Sequence, residues 1–173
     1  MRVAARALCV WCGLALAFAF VGGTTHPGAD AAGMAMKLTA QLTGSEEAPP
    51  VETKGKGSFQ GTVPSNNKSI SYRLTYSGLT SRATVAHIHV GPKGVAGGVT
   101  VFLCGGGGKP ACPASGGTVS GSITAASVLA TGDLKKGDLP GLMQAIMNGN
   151  TYANVHTTKN KGGEIRGQIE SGK

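Results

Sequence analysis

Over most of its length the chain alternates apolar and polar residues with a period of two, and the alternating runs are separated by Gly, Pro, Asn or Ser. Successive side chains on a strand point to opposite faces, so this is the pattern of strands with one buried face in an antiparallel fold. It predicts strands over residues 35–42, 57–63, 69–76, 84–90, 99–104, 118–124, 151–156 and 164–169. Eight short strands in about 135 residues imply an all-β sandwich or barrel. One segment has helical spacing instead. Leu139, Leu142, Met143, Ile146 and Met147 recur at helical intervals, with Asp138 placed to cap the first turn and Asn148-Gly149 to end the last. This one short helix is expected to lie across an end of the strands, its methionines packing and not ligating. No repeat or linker interrupts residues 32–173, which read as a single domain.

Residues 1–31 are set apart from that domain. Arg2 and Arg6 precede an apolar run of 15 residues from Ala7 to Val21, and Ala29-Asp30-Ala31 suits peptidase cleavage, the pattern of a secretory signal peptide. The run is shorter than the ~20 residues of a spanning helix, so no stable membrane anchor is expected and the domain is read as secreted or periplasmic. Cys9, Cys12 and His26 leave with the signal. Cys104 and Cys112 remain, bracketing a Gly-rich loop, and in an oxidising compartment they are expected to form a disulfide. Closing a ring of about nine residues is worth ~2.5 kcal/mol in the chain-entropy account.

Charge narrows the partners. Without Arg2, Arg6 and Asp30 there are 14 basic and 7 acidic residues, a net charge of +7. The lysines are scattered and the aromatics few, so a nucleic-acid platform is not expected. Anionic envelope or matrix polymers, or extracellular or envelope proteins, are the partners such a charge admits. Catalytic templates are missing: the sequence has no Gly-x-Ser-x-Gly, no His-Glu-x-x-His and no calcium loop. The Gly run before Lys109 is not a phosphate loop, because Pro110 follows where Ser or Thr is required. Glu46 and Glu47 are adjacent and fall on opposite sides of any strand, so paired-carboxylate hydrolysis has little support.

His87, His89 and His156 carry the remaining chemistry. Positions i and i+2 of a strand share a face ~6.6–7 Å apart, so the imidazoles of His87-Ile88-His89 can lean onto one metal ion at ~2.0–2.1 Å. Ile88 then faces the core with Ala86 and Val90. His156 points outward if Val155 points inward. All three histidines meet only if the strands at 84–90 and 151–156 pair or neighbour each other. Three neutral imidazoles suit copper or zinc, with copper favoured by raw affinity. The bland alternative has the same histidines capping strand ends and hydrogen-bonding the Gly-rich stretch 91–98.

Three segments together resemble the chordin-type (CHRD) domain: Ala86-His87-Ile88-His89-Val90-Gly91 running on to Val99, Tyr152-Ala153-Asn154-Val155-His156-Thr157, and Gly163-Glu164-Ile165-Arg166-Gly167-Gln168-Ile169. Upstream, Glu47, Pro49, Pro50 and Val51 fit the same pattern, so the likeness covers roughly residues 36–170. It departs at Lys161, where the family often has Pro. The resemblance implies an immunoglobulin-like antiparallel Greek-key β-sandwich or barrel in a secreted protein, and no agreed activity. By looser analogy, His87, His89, His156, the Cys104–Cys112 pair and Arg166 are similar to features of Cu/Zn superoxide dismutase, without its zinc-bridging histidine. Three functions follow: a copper-binding or zinc-binding module, a structural or protein-interaction domain without metal, and a copper-only redox enzyme, with the non-enzymatic readings preferred. Glu164 and Arg166 are expected on one face as supports of the histidines, Glu164 accepting an imidazole N–H.

Overall fold

The structure is a computed structural model that describes residues 35–172; the signal-peptide reading of residues 1–31 lies outside them. Its strands are β1 (Met36–Thr43), β2 (Lys56–Val63), β3 (Ile70–Ser77), β4 (Ala83–Val90), β5 (Gly98–Cys104), β6 (Gly116–Ile123), β7 (Thr151–Thr157), β8 (Ile165–Gln168) and the two-residue β9 (Glu170–Ser171). One helix, α1 (Leu139–Met147), separates β6 from β7. Every pairing is antiparallel, and the strands follow one path in the order β5, β4, β7, β8, β1, β2, β3, β6, with β9 added to β1. The result is a nearly closed antiparallel barrel. The hydrogen-bonded path runs without a break from β5 to β6.

Each expected strand is present. The strand expected over 164–169 is divided, since Ile169 turns its N–H to Thr151 and the chain resumes on β1 as β9. In β3 the period-two pattern holds throughout, with Ile70, Tyr72, Leu74 and Tyr76 buried and the residues between them exposed. Helix α1 is capped as the sequence implies, Gly141 donating its N–H to Asp138 Oδ1 at 2.9 Å. Leu139, Leu142, Met143 and Ile146 join the core, whereas Met147, at the end of the same spacing, is half exposed.

Side chains close the seam that the backbone leaves between β5 and β6. Tyr72 on β3 donates its hydroxyl to the Leu103 carbonyl on β5 at 2.7 Å, and Tyr76 donates to the Pro113 carbonyl at 2.8 Å. The disulfide joins Cys104 to Cys112, and Lys109 Nζ donates to the Ser122 carbonyl on β6 at 2.9 Å. The loop after β5 is thereby fastened across the gap.

Glu164, between β7 and β8, fastens another set of loops. It is fully buried and accepts from the Thr80 N–H at 2.6 Å, from Thr53 at 2.7 Å, from the Thr80 and Thr157 hydroxyls at 2.8 Å each, and from Asn160 Nδ2 at 3.0 Å. Burial by itself raises a carboxyl's pKa, but these donors outweigh it and hold Glu164 down at about 2.

Two predictions come from these ties. In protein beginning at residue 32, thiol labelling after denaturation without reductant is expected to find no free thiol, and replacing both Cys104 and Cys112 with Ala is expected to lower stability to urea by ~2.5 kcal/mol. Glu164→Gln is expected to lower stability by about 2–3 kcal/mol at pH 7, because bonds to a charged acceptor are the strong ones. A folded pKa of about 2 lies below the ordinary carboxyl value of 4.5, so the carboxylate stabilises the fold above that value and its contribution fades as pH falls toward 2. The difference between wild type and Glu164→Gln is therefore expected to shrink across that acid window in denaturation curves.

Candidate metal centre

Strands β4 and β7 pair directly, which is the condition for the histidines to meet. The paired residues are Val85 with His156, His87 with Asn154, and His89 with Tyr152. Ala86, Ile88, Ala153 and Val155 face the barrel core, so the histidines share the outer face of the sheet, as alternation implies. That face is not open to water. The residues of β7 are buried on both faces, and His87, His89 and His156 are only 7%, 7% and 8% exposed.

Three loops cover it. The loop after β1 brings Glu47 onto Asn154, whose Nδ2 donates to Glu47 Oε1 at 2.7 Å. The loop between β4 and β5 supplies the Gly97 carbonyl, and the loop between β7 and β8 supplies that of Lys161. Outward thus means away from the barrel core and still inside the protein, a distinction that residue patterning on one strand does not carry.

These carbonyls orient the imidazoles. His89 Nδ1 donates to the Gly97 carbonyl at 3.0 Å and His156 Nδ1 to the Lys161 carbonyl at 2.8 Å. A carbonyl oxygen only accepts, so each of these rings carries its proton on Nδ1 and, when neutral, a lone pair on Nε2. His87 Nδ1 lies 3.1 Å from His156 Nε2. The edge of the His87 ring rests against Phe102, with centroids 4.6 Å apart. Because the bond to residue 161 uses the backbone, Lys in place of the family's frequent Pro leaves it intact.

Charge on these rings is disfavoured. Burial, with His156 and His89 adding to it, pushes the His87 pKa down to about 3. Burial also lowers those of His89 and His156, against the pull of their bonds to Gly97 and Lys161. The cluster is neutral and rich in lone pairs at pH 7.

One nitrogen from each ring lies within 4.8 Å of the others, a spacing that small ring rotations adapt to an ion ~2.0–2.1 Å from each. His87 Nε2 and His89 Nε2 are buried without any hydrogen-bond partner. Orphaned imidazole nitrogens facing a pocket of their own kind are what a bound cation satisfies. The donor set fits a metal ion.

Arg166 and Glu164 act apart from one another. Arg166 lies over the Tyr152 ring, 4.2 Å from its centroid, and Tyr152 stacks on His89 at 4.8 Å with ring planes 5° apart. The guanidinium is held by the Glu46 carbonyl at 2.6 Å and the Val95 carbonyl at 3.1 Å, so it clamps two of the covering loops. Glu164 receives no imidazole N–H: those of His89 and His156 go to carbonyls, and its oxygens are taken by Thr53, Thr80, Thr157 and Asn160. Support for the rings comes instead from Gly97, Lys161 and Tyr152. The first two act through backbone oxygens, which leave no residue-type signal, while Tyr152 shares the alternation of Asn154 and His156 and was readable on that basis.

Of the described residues, no helix is long and apolar enough to cross a membrane. No curated protein and no solved structure matches the chain significantly. The sequence pattern of the CHRD domain matches residues 38–169, from β1 to the end of the Gly163-to-Ile169 motif, and takes in all three histidines and both halves of the disulfide. The chain therefore belongs to the CHRD domain family.

Proposed function

We propose that this protein is an exported metal-binding module that holds a single copper ion, with zinc as the alternative, through His87, His89 and His156. The observation that carries this reading is the pair of Nδ1–H bonds to Gly97 and Lys161, which fix the tautomer of His89 and His156 and turn their Nε2 lone pairs to the cluster. Donation of the remote N–H to a carbonyl is how metal-binding histidines are oriented and made more basic. Copper is preferred because imidazole sites bind Cu(II) more tightly than the other divalent ions of the first row. Export is supported by the signal-like residues 1–31 and by a disulfide, which persists in oxidising compartments.

A second reading, a structural or interaction domain, is favoured by the His87 Nδ1 contact with His156 Nε2, which in the absence of an ion is a hydrogen bond. Titration calorimetry on protein from residue 32 onward, without a histidine tag, separates the two. One equivalent of Cu(II) or Zn(II) is expected to bind with a Kd below 1 μM, on the order of −8 kcal/mol or better. Alanine at any one of His87, His89 or His156 is expected to weaken binding at least 100-fold. Binding of neither ion at micromolar concentration overturns the metal reading in favour of the second.

The pH dependence gives an independent check. Metal and proton compete for the same nitrogens, and for unperturbed imidazoles near ~6.5 the competition begins at about pH 6.5. Here burial lowers all three, so protons compete only at lower pH. Zn(II) affinity is expected to change less than tenfold between pH 7.5 and pH 6. A steep fall across that interval contradicts the buried, neutral cluster.

A further inference from the structure

The three histidines do not fill the face they stand on. Because His87 pairs with Asn154, while His156 and Tyr152 pair with Val85 and His89, Asn154 adjoins every histidine: across from His87, next along β7 from His156, and diagonal to His89. Directly opposed residues have Cβ atoms about 4.5–5.5 Å apart, and diagonal ones lie ~7–8 Å apart, within reach of long or aromatic side chains. No other position on this pair of strands has all three as neighbours.

The Asn154 side chain is 2% exposed, and its orientation is set. Nδ2 donates to Glu47 Oε1 at 2.7 Å, and a carboxyl group keeps an accepting oxygen whether or not it is ionised, so the amide presents its nitrogen to Glu47 and its oxygen to the other side. Gly163 closes in behind this pair. Its φ is +133°, and a Cβ there would collide with both Asn154 Nδ2 and Glu47 Oε1. Asn154 Oδ1, in contrast, is buried with no hydrogen-bond partner.

Among the described residues the buried side-chain atoms without partners include His87 Nε2, His89 Nε2 and Asn154 Oδ1, all from one face of β4 and β7. With the Nδ1 proton of His89 placed as above, and that of His87 placed by its contact with the unprotonated Nε2 of His156, each of the three is a lone-pair donor. A water molecule has two protons to offer them. A cation serves all at once.

We propose that Asn154 Oδ1 is a fourth donor of the histidine centre, making it a three-nitrogen, one-oxygen site with Glu47 as the residue that positions the amide. The inference rests on the metal reading above and adds a selectivity to it. An amide oxygen is a hard ligand, so the set favours Cu(II) and Zn(II) over the softer Cu(I).

The test compares Zn(II), Cu(II) and, under reducing conditions, Cu(I) binding to wild type, Asn154→Ala, Asn154→Asp and Glu47→Leu, with thermal melts of the metal-free proteins to verify folding. Asn154→Ala is expected to lose at least tenfold in Zn(II) and Cu(II) affinity with Cu(I) affinity unchanged, and to shift the visible spectrum of the Co(II)-loaded protein. Asn154→Asp keeps an oxygen and is expected to bind Zn(II) at least as tightly as wild type. Glu47→Leu, which frees the amide, is expected to behave as a milder Asn154→Ala. Wild-type Zn(II) affinity and Co(II) spectrum in Asn154→Ala, or an Asn154→Asp variant that folds and yet loses Zn(II) as Ala does, overturns the oxygen ligand while leaving the three histidines standing. If Asn154→Ala does not fold, the Asp and Glu47 variants decide. Wild type that binds no metal overturns this proposal and the metal reading together.

Discussion

The register of β4 on β7 is the constraint from which the rest of the outer face follows. Setting His87 against Asn154 puts Val85 against His156 and His89 against Tyr152, so imidazoles from sequence positions far apart come to adjoin one another. A slip of one residue would send all of them to the opposite face, into a core built of Ala86, Ile88, Ala153 and Val155. The small apolar residues on the inner face and the polar ones on the outer face thus specify one register between them. Once it is set, the covering loops find their partners: Glu47 on Asn154, Gly97 on His89, Lys161 on His156.

Burying this many polar groups is unfavourable unless each finds a partner, and most of the fold outside the barrel serves that end. Arg166 binds the carbonyls of Glu46 and Val95, Gln168 Nε2 donates to the Gly91 carbonyl at 2.9 Å, and Glu164 gathers Thr53, Thr80, Thr157 and Asn160. The motif from Gly163 to Ile169 is therefore one device. Gly163 makes room for the Glu47–Asn154 pair, Gly167 lets β8 pass against the Gln41 carbonyl of β1, and Ile165 and Ile169 enter the core. The unpartnered atoms His87 Nε2, His89 Nε2 and Asn154 Oδ1 share one face of β4 and β7, and Thr151 Oγ1 and Arg166 Nη2 are buried without a partner as well.

Much of this was legible in the residues. Period-two alternation located the strands, Asp138 and Asn148-Gly149 bounded the helix, and His-x-His gave two imidazoles on one face. Strand pairing was not legible, because alternation states which face a residue takes and not which strand lies beside it. For the same reason the covered outer face was missed: the loops that bury His156 lie far from it in sequence, apart from the Lys161 loop. Spacing alone puts Glu164 near the histidines, whereas three loop residues and Thr157 at the end of β7 compete for its oxygens and win. Asn154 shares the alternation of His156, and only the register onto His87 gives that position its meaning.

The central claim is that the fold holds its imidazoles neutral, in one tautomer, with their lone pairs gathered before any ion arrives. Nitrogen-15 NMR of the histidine side chains in metal-free protein at pH 7, followed by addition of one equivalent of Zn(II), reads this directly. The account predicts Nδ1–H, Nε2-unprotonated rings for His89 and His156 before zinc, and a change at the Nε2 resonances of both when zinc is added. Protonated Nε2 on either ring in the metal-free protein, or Nε2 resonances that do not move with zinc, would contradict it.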